Sequence, residues 1–234
     1  MAKINGNVLK IIACITMLVD HMGVILFPSQ IIFRFIGRLA FPIFAFFIAE
    51  GAKHTSNKLK YFLRVFILGI ICQLGYMLSE ILEYGKITGL YFNVLLTLSA
   101  GILICYAWQA AIKNKKNVAL LIVLVVATAF IQIFSGLSYK LGFGIEFDYG
   151  FMGMMLPLCA MIFEKKLHKF LLFGAGLVLL CIQFYDTPCQ WICLLTIPLL
   201  LLYNNERGKV NLKYLFYIFY PVHIVVLYGI SFLI

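Results

Sequence analysis

Three observations predict an all-α, polytopic integral membrane helical bundle. The 234 residues are 64% hydrophobic and 12% charged, with a mean hydropathy of +1.03, whereas a soluble domain is about 45–50% apolar and about 25% charged. Apolar runs close to the roughly 20 residues that cross a bilayer as a helix recur along the whole chain. The connections between them are short, so a single integral membrane domain over 1–234 is the simplest organisation.

About nine transmembrane helices follow, near 8–27, 31–51, 61–80, 91–112, 117–134, 149–163, 168–184, 188–203 and 213–233. The first has the length of a span and lacks a small-residue cleavage site, and more spans follow it, so it is expected to stay in the mature protein. The second begins after only Pro28, Ser29 and Gln30, which forces it against the first. Pro42 then displaces the carbonyl of residue 38 from the helical ladder and predicts a kink beside Arg38. The fourth is opened by Asn93 and the sixth, short and glycine-rich, by Asp148-Tyr149-Gly150. The eighth ends in Tyr203-Asn204-Asn205-Glu206-Arg207-Gly208. The last carries Pro221, which frees the carbonyl of Tyr217 and predicts a second break.

Basic residues orient this set. With the N-terminus inside, fifteen of the 19 Lys and Arg fall on that side, Lys3, Lys10, Lys113 and Lys165 among them, and only Lys86 and Lys140 on the other. The positive-inside rule therefore places the N-terminus in the cytoplasm. The net charge of +10 is accounted for by topology and by contact with anionic lipid, and no nucleic-acid partner is expected. The seven cysteines lie scattered in apolar segments without zinc-site spacing, so they read as small buried hydrophobes and no metal is expected. Walker A, dinucleotide, HExxH and GxSxG patterns do not occur.

Chemistry concentrates where ionisable groups fall inside apolar spans, because burying them costs several kcal/mol unless they are paired. Asp20 and His21 stand in the first span, with His21 about 9 Å below its outer end at 1.5 Å per residue. Arg34 and Arg38 share a face of the second span at i, i+4, and Arg38 reaches a similar depth. Adjacent helical side chains diverge by about 100°, so Asp20 is available to Arg38 as well as to His21. In the last span Tyr220 and His223 share a face near the midplane. At the inner surface Glu50, Lys53 and His54, and again Asn204, Glu206 and Arg207, combine charge with amide groups and suit a phosphate-bearing ligand or ordinary loop ends. Outside, Asn93, Asp148 and Tyr149 stand where they contact an acceptor or cap a helix.

These residues are part of a longer pattern. It comprises Leu9-Lys10-Ile11-Ile12-Ala13 leading to Met17 and Asp20-His21-Met22-Gly23. Arg34-Phe35-Ile36-Gly37-Arg38-Leu39-Ala40-Phe41-Pro42 follows, running on to Glu50-Gly51. Asn93-Val94, Asp148-Tyr149-Gly150, Glu206-Arg207-Gly208 and Lys213-Tyr214-Leu215-Phe216-Tyr217-Ile218-Phe219-Tyr220-Pro221-Val222-His223 complete it. On this pattern, over nearly its full length, the chain resembles the TraX family of conjugative F-pilin acetylation proteins, which belong with the wider transmembrane acyltransferases. Asn205 departs from it, since glycine is more usual there.

The resemblance implies an acyltransferase of the bacterial cytoplasmic membrane that takes acetyl from cytoplasmic acetyl-CoA. The acceptor in the founding case is the N-terminal amine of pilin; another peptide or a surface glycan is the alternative. Joined to the residues, it implies acetyl-CoA phosphates near Lys53, His54 and Arg207 and His21 as general base. Asp20 would orient the site, Arg38 would stabilise an oxyanion, and His223, with Tyr217 and Tyr220 on its helix, would be a second acid–base group. A secondary transporter and a non-catalytic assembly protein are the rival classes, since broken helices with intramembrane charge also build substrate pathways. The topology is testable: a periplasm-dependent alkaline phosphatase fused after Lys115 is expected to be inactive, and one fused after Lys86 active.

Overall fold

The computed structural model describes residues 3–87, 89–142, 144–210 and 212–233. Among them the helices are α1 (Gly6–Ile25), α2 (Ile31–Gly37), α3 (Ala40–His54), α4 (Lys58–Tyr84), α5 (Val94–Lys113), α6 (Val118–Lys140), α7 (Gly150–Met161), α8 (Lys166–Gln183), α9 (Thr196–Leu201) and α10 (Lys213–Ser231). Seven segments among the described residues are long and apolar enough to cross a membrane: Gly6–Ile25, Ile31–His54, Lys58–Leu82, Val94–Lys113, Lys115–Ser138, Lys166–Gln183 and Tyr214–Ser231. Two shorter apolar segments, Gly150–Met161 and Pro188–Leu201, occupy the sixth and eighth expected positions. The protein is thus an all-α polytopic membrane bundle, with seven full-length apolar segments and two short ones. The eighth is short because Pro188–Leu195 winds as a 3-10 helix before α9 begins.

The chain divides into two compact units, Met1–Phe47 with Leu177–Ile234, and Ile48–Gly176. In the first, α1 packs against α2 and α10. The expected kink in the second span is present as a full interruption: α2 ends at Gly37, Arg38 and Leu39 form a turn, and α3 restarts at Ala40, two residues before Pro42. The expected break at Pro221 is absent. Helix α10 runs through that proline without interruption, and the polar groups near it are presented by a continuous helix.

The start of the first unit is held by main-chain hydrogen bonds. Ile4 N–H donates to the Leu202 carbonyl (3.0 Å) and Asn204 N–H to the Ile4 carbonyl (3.0 Å). The first two amides of α1, on Gly6 and Asn7, donate to the carbonyls of Glu206 (2.7 Å) and Arg207 (3.0 Å). The third, on Val8, donates to the Asn5 side chain at 3.1 Å. These helix-end amides have no partner within the helix, so the 203–210 loop satisfies donors that would otherwise be orphaned. The loop needs two left-handed residues to do so, Asn205 (φ 63°) and Gly208 (φ 98°). That is why glycine suits position 205, and why Asn, the side chain that best tolerates this region, replaces it.

In the second unit α5 packs against α4, α6 and α7. Ile104, Met154 and Met155 form one buried cluster there, with Leu121, Leu124, Val125 and Phe151 packed around them. Two three-residue strands that the apolar pattern did not reveal, β1 (Leu90–Phe92) and β2 (Ile145–Phe147), pair in parallel, Leu90 opposite Ile145 and Phe92 opposite Phe147. The Phe92 and Phe147 rings stack at 4.5 Å.

Substituting Gly208 tests the loop. A Cβ there would meet the Asn7 amide nitrogen at 2.9 Å and the Asn5 oxygen at 3.0 Å. Gly208→Ala is expected to destabilise the purified protein by about 1–3 kcal/mol. Asn205→Gly is expected to change stability by less than about 1 kcal/mol. Thermal unfolding in detergent measures both.

Candidate functional site

Two imidazoles meet inside the first unit. His21 on α1 and His223 on α10 are far apart in sequence, yet Nδ1 of His21 lies 3.0 Å from Nε2 of His223. Each ring also leans on its own helix. Nδ1 of His21 lies 2.9 Å from the Met17 carbonyl, and Nδ1 of His223 lies 2.7 Å from the Phe219 carbonyl. A carbonyl oxygen only accepts, so both Nδ1 atoms carry the proton in the neutral pair. Nε2 of His223 is then an acceptor, and the His21 Nδ1–H is shared between it and Met17. The basic nitrogen left over is Nε2 of His21, which no hydrogen bond reaches among the described residues.

Aromatic rings enclose the pair. Tyr220 stands edge-on to His21 (6.4 Å) and to His223 (5.8 Å), and Phe219 stacks on His223 at 4.9 Å. His223 is buried, at 5% exposure. Tyr217 lies one turn earlier on α10. Spacing along α10 puts Tyr220 and His223 on one face, as the i, i+3 rule requires.

Asp20 serves the arginines rather than His21. Arg34 donates from Nη1 to Asp20 Oδ2 at 2.7 Å, and Arg38 Nη2 lies 3.9 Å from Asp20 Oδ1. The close approach requires Gly37, since a Cβ at that position would collide with the Asp20 carboxylate. Because the helix ends at Gly37, Arg38 turns toward the 3-10 segment and donates from Nη1 to Gln190 Oε1 at 3.2 Å. Gln190 is 2% exposed. Its amide oxygen therefore gives the guanidinium a buried partner in addition to the carboxylate. Sequence reasoning passed over Gln190, although a lone amide within an apolar segment is itself a signal.

The remaining expected residues gather in three places. In the first unit, Asn204 accepts from Glu206 N–H and donates to Glu206 Oε2, both at 2.9 Å, and the Arg207 carbonyl is bound by Asn7. In the second unit, Glu50 accepts from Lys169 at 3.0 Å and faces His54 at 3.7 Å, while Lys53 pairs with Glu164. The hydrogen bond from Lys53 holds the Glu164 carboxyl below its usual range. Lys169 and Lys53 are thus already paired with carboxylates, which a phosphate would have to displace.

Asn93 caps α5 by accepting from Leu95 N–H (3.0 Å), and its Nδ2 donates to the Gly69 carbonyl (2.8 Å) and to Gln73 (3.1 Å). The capping role expected of it is therefore present. Asp148 accepts from the Tyr91 hydroxyl at 2.9 Å, and its carbonyl accepts from Thr97 at 2.6 Å. Tyr149 precedes α7 in the left-handed region (φ 59°). Among the described residues no cluster of three or more His, Cys, Asp or Glu could hold a metal.

The family model described as TraX protein matches residues 5–231. The chain belongs to the TraX family. A relative from Dichelobacter nodosus, named as a probable fimbrial assembly protein FimC of serogroup H1, is 28% identical over 94% of this chain and 92% of its own length. An uncharacterised protein of Rickettsia prowazekii, RP591, is 37% identical over 29% of this chain and 25% of its own length. No solved structure matches the chain.

Gly37→Ala in this TraX-family protein is expected to lower stability by about 1–3 kcal/mol, because the added methyl must push Asp20 away from the arginines. Gly75→Ala, where nothing lies within 4 Å of the new carbon, is expected to leave stability unchanged or slightly raised. Unfolding midpoints of the two variants separate the close contact from helix propensity.

Proposed function

We propose that this protein is an acetyl-CoA-dependent acyltransferase of the bacterial inner membrane, acting on the amine of a pilin or other peptide N-terminus. The observation that carries the reading is the hydrogen-bonded His21–His223 pair, fixed in one tautomer within apolar helices and leaving Nε2 of His21 as a base. Membership of the TraX family and the fimbrial-assembly name of the Dichelobacter relative support a pilus context.

In this reading the acceptor nitrogen attacks the thioester carbonyl, and Nε2 of His21 takes the proton that the nitrogen sheds. The bond to sulfur breaks, and the same proton passes to the departing thiolate, so that amide and free CoA are the products. While His21 is charged, its Nδ1–H keeps both the Met17 carbonyl and Nε2 of His223 as acceptors, which lowers the cost of an imidazolium in an apolar setting. Arg38, steadied by Gln190, supplies positive charge for the oxyanion. Asp20 balances Arg34 and Arg38 and does not take part in proton transfer.

Membranes carrying the wild type, His21→Ala or His223→Ala and incubated with acetyl-labelled acetyl-CoA test this. His21→Ala is expected to reduce label transfer and CoA release by about 10²–10⁴-fold, the usual contribution of a general base. His223→Ala is expected to cost less. Label arriving on a glycan would replace the amine acceptor with a hydroxyl. The fimbrial-assembly name favours one other reading, a non-catalytic assembly protein. It requires His21→Ala to remain functional and a stable partner to co-purify.

A further inference from the structure

We propose that the inner ends of α4 and α5, in the second unit, bind the phosphate of an anionic phospholipid through Lys58, Arg64 and Lys113, with an acyl chain lying along α4. The site involves none of the residues around the imidazole pair and does not depend on acyl transfer.

A pair of contacts joins the start of α4 to the later part of α5. The Tyr106 hydroxyl donates to the Lys58 carbonyl at 3.0 Å, and Lys58 Nζ lies 4.9 Å from the centre of the Tyr106 ring. Lys113 stands seven residues after Tyr106, on the same face of α5, and is the like-charged neighbour of Lys58. Arg64 comes to the same place from α4. Its Nε donates to the Lys60 carbonyl at 2.9 Å, which fixes the guanidinium, and its charge acts on Tyr106. Its buried Nη1 has no acceptor among the described residues. Lys115 and Lys116 follow in the 3-10 turn after α5.

No acid balances this corner. The first turn of α4 contains none, and Lys58, Lys60, Arg64, Lys113, Lys115 and Lys116 form no ion pair among the described residues. Glu50 and Glu164 are committed to Lys169 and Lys53. The unit's other acids fall elsewhere, Glu80 and Glu83 near the far end of α4 and Glu146 and Asp148 in and after β2. Like charges gathered in this way repel until an anion enters. A guanidinium with a donor to spare suits the oxygens of a phosphate.

The surface beside the cations identifies a lipid as the source of that phosphate. Leu63, Ile67, Ile70 and Leu74 recur at intervals of four, three and four, a stripe of α4 that adjoins the Lys60 and Arg64 positions. All four are exposed. The positive-inside assignment puts the basic corner at the cytoplasmic leaflet, where anionic headgroups collect. A phosphodiester carrying acyl chains matches both the charge and the apolar stripe, whereas a soluble phosphate matches the charge alone.

The purified protein, stripped of native lipid in a neutral maltoside detergent, is titrated with dioleoylphosphatidylglycerol, with dioleoylphosphatidylcholine and with CoA, and bound molecules are counted by native mass spectrometry. The wild type is expected to bind phosphatidylglycerol at least about 10-fold more tightly than phosphatidylcholine. Lys58→Gln, Arg64→Gln and Lys113→Gln are each expected to lose about 5-fold in phosphatidylglycerol affinity, the attraction of one basic residue, with phosphatidylcholine binding unchanged. Lys58 and Lys113 are exposed, so these two variants carry the test if Arg64→Gln lowers the folded yield. Lys86→Gln and Lys140→Gln, which remove the same charge on the other side, are expected to change nothing.

Equal losses from Lys86→Gln and Lys140→Gln mean diffuse attraction and overturn the site, as does a wild type that binds the two lipids alike. CoA that displaces phosphatidylglycerol from the wild type but binds Lys58→Gln weakly gives the corner to a soluble phosphate and overturns the lipid assignment.

Discussion

An ionisable or amide group in a membrane must find its partner within the protein, and the arrangement of the first unit follows from that constraint. Bilayer hydrocarbon offers an imidazole or a guanidinium no hydrogen-bond partner, so these side chains rely on specific neighbours within the protein. His21 takes a carbonyl of its own helix and a second imidazole from α10. Asp20, one residue away and pointing elsewhere, takes two arginines from the segment that follows. Adjacent residues thus serve two separate networks, because the helix turns by about 100° between them.

The breaks in regular structure serve the same end. The turn at Arg38 and Leu39 lets a guanidinium leave the helical direction and reach Gln190, while Gly37 lets Asp20 approach. In the 203–210 loop, two left-handed residues bring carbonyls to the first amides of α1. Pro221 behaves differently. Its helix continues, so the proline leaves the register between Phe216, Tyr220 and His223 intact and these three side chains stay on one face of α10.

Much of this was legible in the residue order. The apolar runs and the basic loops indicated the helical membrane class, and intramembrane charge singled out Asp20, His21, Arg34, Arg38 and His223. The break in the second span followed from Pro42, and its position near Arg38 from the geometry of the proline ring. Other features were not legible. Gln190 carries no motif, and its importance comes from a neighbour distant in sequence. The paired strands are three residues long, too short for an alternating pattern to register. The ion pair of Lys53 with Glu164, far along the chain, was not legible either.

By itself, then, the sequence determined that this chain is a multi-span helical membrane protein and which ionisable side chains lie within its spans, because hydropathy and helical rise are local properties of the chain. Only the tertiary structure decided the partners: Asp20 with Arg34, Arg38 with Gln190, and His21 with His223. Those pairings depend on how separate helices and loops come together, and no local pattern encodes that.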